Sequence, residues 1–173
     1  VHRAISTLAR CDAVVITAVN GAAAGAGFSL AVLGDLTLAA ESASFTMAYT
    51  RVGLTPDGSA SYVLPRLVGM ARAKELMLTN RRLSAKEALQ WGLVTEVVAD
   101  DALASRADEL ATAMLVTSAG ANGAVKALLH DSFGNGLEAQ MELEGRVIAG
   151  RAESADGREG VDAFLAKRAP DFA

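Results

Sequence analysis

Between Asp12 and Asp35 the chain carries no charged side chain, and a glycine-rich break divides this apolar run in two. The first half, Val14-Val-Ile-Thr-Ala-Val19, is β-branched and predicts a strand buried on both faces. Asn20-Gly21 ends it. Gly25-Ala26-Gly27 then opens a second apolar segment that reaches Leu33 with no β-branched residue before Val32, which favours a helix. Strand, glycine-rich turn and helix, in that order, leave free backbone N–H groups at a helix N-terminus. A bound anion or a developing oxyanion is stabilised there, and small residues let a substrate approach closely. The competing reading is simple close packing at the turn. A dinucleotide fingerprint is excluded because Leu30 stands where its third glycine belongs, and no Gly-Lys-Ser/Thr follows as in a phosphate-binding loop.

An uncharged run of this length raises the question of a membrane span. Asn20 and the glycines in its middle, with Asp12 and Asp35 at its ends, fit a buried strand–turn–helix instead. The 173 residues suffice for a sizeable core. With 51% hydrophobic and 21% charged residues, the chain reads as globular rather than disordered. A net charge of −4 argues against general nucleic-acid binding. Cys11 is the single cysteine and has no internal disulfide partner, which fits a reducing, cytoplasmic setting; it reads as a small buried residue. There is no signal-peptide pattern, and the opening Val1-His2 falls in mid-helix pattern, so the sequence is expected to be a fragment.

Ile5 and Leu8 predict an amphipathic helix over about 2–10. Strands are expected at 36–40, 44–46 and 94–98. Gly53-Leu-Thr-Pro-Asp-Gly58 has strong turn chemistry. A helix over 59–68 is expected to end or kink at Pro65 and to continue from Met70 to Leu78. Ser84-Ala-Lys-Glu87 is a capping box opening a helix to Trp91, stopped by Gly92. Asp100-Asp101 starts a helix to about Leu115, and helices follow over 121–129, 137–148 and 157–167. The apolar residues of the 137–148 helix, Leu137, Met141, Leu143, Val147 and Ile148, can serve the core or subunit contacts, and the core is the preferred assignment.

His2 and His130 lie outside any cluster with metal-ligand spacing, so no metal site is expected. Gly27-Phe-Ser29-Leu-Ala31 falls one glycine short of a nucleophile elbow, and Ser29 reads as a helix residue. Asp57 has two readings: an N-cap for the following helix, or a general base in an apolar loop flanked by Leu54 and Val63. The basic residues Arg66, Arg72, Lys74, Arg81, Arg82 and Lys86, with Lys126, Lys167 and Arg168, are solvated surface or contacts for a polyanionic cofactor.

Three segments in order, 18–31, 53–58 and Leu64-Pro-Arg-Leu-Val-Gly69, resemble the crotonase family of enoyl-CoA hydratases and isomerases. Arg82–Ala88, Trp91-Gly-Leu-Val94 and the ending Phe164–Phe172 continue the resemblance. It implies an α/β fold, the crotonase-like ββα spiral, with the C-terminal part of the spiral core over 1–115 and a helical trimerisation region over 116–173. It also implies an acyl-CoA thioester substrate, with coenzyme A as part of that substrate and no permanently bound cofactor, and a homotrimer or dimer of trimers. The Ala26 N–H would be one of two oxyanion-hole donors. The second donor and part of the coenzyme A surface would belong to an upstream segment.

Hydratases of the family use two glutamates, and the matching positions here hold Ser29 and Tyr49. Asp57 stands where the family's isomerases carry an acid. The resemblance therefore implies a ring-1,2-epoxyphenylacetyl-CoA or Δ3,Δ2-enoyl-CoA isomerase, with Asp57 as base. Gly25 and Gly27 would shape the turn, Tyr49, Leu54 and Trp91 would line the acyl pocket, and Lys126 and Lys167 would meet the substrate. An enoyl-CoA hydratase with unusual acids and a non-catalytic acyl-CoA-binding oligomer are the alternatives.

Overall fold

The structure is a computed structural model and describes residues 2–172. It divides into two compact units: Val1–Ala9 with Val15–Leu110, and Arg10–Val14 with Ala111–Ala173.

The first unit repeats a strand–strand–helix order. Helix α1 (His2–Arg10) precedes strand β1 (Ile16–Val19), strand β2 (Ala22–Ala24) and helix α2 (Ala26–Ala31). Strands β3 (Leu36–Ala40) and β4 (Ser44–Thr46) then lead through a 3-10 turn, Tyr49–Val52, to helix α3 (Ala60–Thr79). The first strand of each repeat enters one sheet: β1 pairs in parallel with β3, Ile16 opposite Leu36, and β3 with β6 (Glu96–Val98), Leu38 opposite Glu96. The second strand enters another: β2 pairs in parallel with β4, Ala23 opposite Phe45, and β4 runs antiparallel to β5 (Leu83–Ser84). Parallel pairing of this kind requires crossovers, which α2 and α3 supply.

Strand β2 corrects the sequence reading, which passes from the break at Asn20-Gly21 directly through a turn to the helix. An alanine triplet has no period of its own, and pairing with β4 decides its state. The two-residue strand β5 likewise exists only through β4. In α3 the break falls at Gly69 (φ 78°, ψ 160°) and not at Pro65, which sits within the helix. The capping box forms as read: the Glu87 N–H donates to Ser84 Oγ at 3.3 Å, and the Ser84 N–H to Glu87 Oε2 at 3.0 Å. It opens helix α4 (Ala85–Gln90). Phe28, Leu38, Phe45, Met47, Leu64, Leu76 and Leu83 are fully buried between the sheets and helices. The rings of Phe28 and Phe45 meet at 5.5 Å, tilted by 54°. Helix α5 (Leu103–Met114) buries Leu103 on this core.

The second unit holds helices α6 (Ala119–Ser132), α7 (Leu137–Ala152) and α8 (Ala155–Leu165), packed α6 on α7 and α7 on α8. Ser118 caps α6 through the Ala121 N–H at 3.1 Å, and Ser154 caps α8 through the Gly157 N–H at 3.0 Å. Both helices therefore start two residues before the apolar pattern suggests. The core assignment of α7 is overturned: none of its residues is buried, and Leu137, Met141 and Ile148 are 70%, 59% and 69% exposed. A stripe of apolar residues requires cover; Leu143 and Val147 of this one are half-buried, and the rest of it is left open.

Candidate active site

Three pieces of the first unit converge on one residue. The first is the start of α2. Gly25 is its N-cap at φ 54°, ψ −122°, a conformation that favours glycine. Its N–H donates to Thr46 O at 3.0 Å, which fixes the turn to β4. Ala26 and Gly27 follow, both exposed, and as the first helical residues their N–H groups have no acceptor within the helix.

The second piece is Tyr49, which opens the 3-10 turn. Its ring lies against the N-cap: a Cβ on Gly25 would stand 3.8 Å from Tyr49 Cζ. Its hydroxyl donates to Asp57 Oδ1 at 2.5 Å. Burial, and then that bond to the carboxylate, hold the phenol above its ordinary pKa, so it is a protonated donor at neutral pH.

Ser29, on α2, is the third. It is 1% exposed, and its hydroxyl donates to the Asp57 carbonyl at 3.0 Å. Gly58 presses on it from the loop: at φ 64°, a Cβ there would fall 2.8 Å from Ser29 Cβ. Asp57 is thus tied at its carbonyl by Ser29 and at one carboxylate oxygen by Tyr49. Its side chain is exposed, and Oδ2 accepts no hydrogen bond among the described residues.

This geometry sets aside two readings. Ser59 (φ 68°), not Asp57, is the N-cap of α3, so the Asp57 side chain is not a helix cap. Ser29 is a buried brace bonded to backbone carbonyls, with no exposed nucleophile character. The apolar loop expected around Asp57 is also open: Leu54 is 60% exposed, and its N–H closes the turn on Tyr49 O at 3.1 Å.

The other predicted site residues have different surroundings. Trp91 lies half-buried between the guanidinium groups of Arg72, 4.8 Å from the ring centroid, and Arg81, at 5.2 Å. Arg81 also pairs with Glu75 at 3.5 Å and with Glu87. In the second unit, Lys126 Nζ donates to Ala13 O at 2.8 Å and stands 3.7 Å from Cys11 Sγ. Cys11 is half-buried rather than a core residue, and its thiol donates to that same carbonyl at 3.4 Å. Lys167 is exposed beyond the end of α8 at φ 53°. Among the described residues no three His, Cys, Asp or Glu side chains gather as metal ligands, and no helix is long and apolar enough to cross a membrane.

The phenol–carboxylate bond escapes the sequence reading because residues 49 and 57 are joined through a loop with no fixed period. The only signal is the turn-rich segment between them, which brings its ends together.

The sequence model of the enoyl-CoA hydratase/isomerase family matches residues 1–173. The chain is 45% identical over 170 residues to the 1,2-epoxyphenylacetyl-CoA isomerase of Escherichia coli (strain K12), covering 97% of this chain and 64% of that protein. It is 44% identical over 162 residues to a probable enoyl-CoA hydratase of Rhodobacter capsulatus, covering 94% of this chain and 63% of that one. The chain thus spans a little under two thirds of these relatives. The crystal structure of an enoyl-CoA hydratase from Polaromonas sp. JS666 superposes with a TM-score of 0.94 at 37% identity, over 99% of this chain and 67% of that one.

Proposed function

The chain belongs to the enoyl-CoA hydratase/isomerase (crotonase) family, and from that premise we propose that it is the part of an acyl-CoA isomerase that carries the catalytic base. Asp57 is that base, and the Ala26 N–H is one donor to the thioester oxyanion. The observation that carries this reading is the Asp57 carboxylate, held by the hydroxyl of Tyr49, whose ring lies against the N-cap of α2, while the Ser29 hydroxyl holds the Asp57 carbonyl.

In a 3-enoyl-CoA, Asp57 Oδ2 removes a proton from the carbon between the double bond and the thioester. The C–H electrons pass into a dienolate whose negative oxygen meets the Ala26 N–H. The same carboxyl group returns its proton to the far carbon, leaving a conjugated thioester and a regenerated carboxylate. Where an epoxide C–O bond lies on the carbon beside the one Asp57 deprotonates, the C–H electrons form a double bond conjugated to the thioester as that C–O bond breaks, and the freed alkoxide takes the proton back from the carboxyl group. One carboxylate suffices for a proton shift, whereas adding water benefits from two.

The substrate enters as a coenzyme A thioester, and no permanently bound cofactor is required. Exposed apolar helices in the second unit support assembly as a homotrimer or a dimer of trimers, and the lone Cys11 suits a reducing cytoplasm.

The test uses the full-length protein carrying this sequence. It is offered a 3-enoyl-CoA and, separately, a 2-enoyl-CoA, and the conjugated thioester is followed by ultraviolet absorbance. The expected outcome is conjugation appearing from the 3-enoyl substrate, and a fall in rate of about 10²–10⁴-fold in Asp57→Asn. The similarity to a probable hydratase favours a second reading, hydration of a 2-enoyl-CoA. Loss of conjugation from that substrate, unchanged in Asp57→Asn, would establish it and discard Asp57 as base.

A further inference from the structure

We infer that Tyr49 is the positioning residue for Asp57: its phenol holds one carboxylate oxygen so that the other is presented to substrate. The inference rests on the reading of Asp57 as base. An aspartate on a loop has two freely rotating torsions, and an exposed one samples several orientations. Here the backbone is fixed from one side and the carboxylate from the other. Ser29, buried on α2, takes the Asp57 carbonyl at 3.0 Å, and Gly58 lets the loop come down onto it. Tyr49 takes Oδ1 at 2.5 Å. Oδ2 is the oxygen left without a hydrogen bond among the described residues.

The phenol is itself placed. Its ring rests against Gly25, the N-cap residue directly before Ala26, and its backbone is pinned by the Tyr49 N–H to Met47 O at 2.7 Å and by Leu54 N–H to Tyr49 O at 3.1 Å. One rigid side chain therefore spans the proposed oxyanion donor's helix end and the proposed base. The bond is charge-assisted, the strong kind of hydrogen bond. A phenol kept protonated at neutral pH remains a donor throughout the cycle, so it orients the carboxylate without competing for the substrate proton.

The experiment compares the full-length protein with Tyr49→Phe and Asp57→Asn. It measures kcat and KM for a 3-enoyl-CoA, the rate of deuterium uptake next to the thioester in heavy water, and the melting temperature. Tyr49→Phe removes one oxygen and keeps the ring. The expected result is a fall of about 10- to 100-fold in both kcat and deuterium uptake, with KM within about twofold of the original. An unchanged kcat would overturn the inference. So would a loss of kcat matched by an equal rise in KM, or accompanied by a melting temperature lowered by more than about 5 °C, since either marks a scaffold role. Full activity in Asp57→Asn would instead sink the underlying assignment of the base. Activity lost in Asp57→Asn but kept in Tyr49→Phe would sink the positioning role alone.

Discussion

The two units differ in what their apolar residues meet. In the first, Phe28, Leu38, Phe45, Met47 and Leu64 are all 0% exposed, closed in by strands paired across the ββα repeat. In the second, Leu129, Phe133, Leu137 and Phe164 are 64%, 67%, 70% and 81% exposed, and no residue of α7 is fully buried. The difference teaches that an apolar stripe states a demand for cover without naming the source. Parallel strands answer that demand inside the chain, and they also fix the floor on which Gly25, Ser29 and Asp57 are assembled. In the α6–α8 helices much of the stripe stays exposed.

The largest expected effect sharpens this contrast. Phe45→Ala should cost about 3–5 kcal/mol in urea unfolding, because a fully buried ring leaves a cavity. Phe164→Ala should stay within about 0.5 kcal/mol on the same measurement of the isolated chain, while weakening self-association in sedimentation at micromolar concentration. Equal losses in the two variants would break the comparison.

Next is Gly58→Ala, which combines a left-handed backbone with a Cβ placed 2.8 Å from Ser29 Cβ. About 1–3 kcal/mol is expected, together with loss of turnover because the loop holding Asp57 shifts. Ser84→Ala removes a capping box closed within four residues, and thermal melts should register about 1 kcal/mol.

The smallest effect belongs to the second unit. Arg168 grips Glu159 through two bonds at 2.6 and 2.8 Å, and the Asp171 N–H adds a third at 2.8 Å. These hold the Glu159 carboxyl down at about 2, from an ordinary 4.5. A depressed folded value stabilises the fold above the unfolded one, and the contribution fades as pH falls from 4.5 through 2. Melting curves of the original protein and Glu159→Gln should therefore differ above pH 4.5 and converge toward pH 2. A gap that persists at pH 2 would assign the difference to packing.

What could be read from the sequence were the features closed over short distances. The β-branched run gave β1, but as the edge strand of its sheet β1 is half-buried or exposed at every residue and not buried on both faces; Ser84 and Glu87 gave a cap whose hydrogen bonds stay within four residues, and the turn chemistry of residues 53–58 gave the loop. Helical periodicity gave α6, α7 and α8. The three segments resembling the crotonase family gave the fold, because their order and spacing are themselves sequence properties. Tertiary structure alone decided the rest. The alanines of β2 became a strand only opposite β4. Pro65 stayed within α3, and the break fell at Gly69, the gap between the two helical stretches read from the sequence. The cover of α7 could not be foreseen, because burial depends on what lies opposite a face. Above all, the sequence placed Ser29, Tyr49 and Asp57 at separate points of a pattern, and only the folded chain bound them together. A hydrogen bond between a phenol and a carboxylate eight residues apart across a loop follows from no propensity; it exists because strand β4 leads into one end of that loop, while the other runs into α3 and is held at Asp57 by Ser29 of α2.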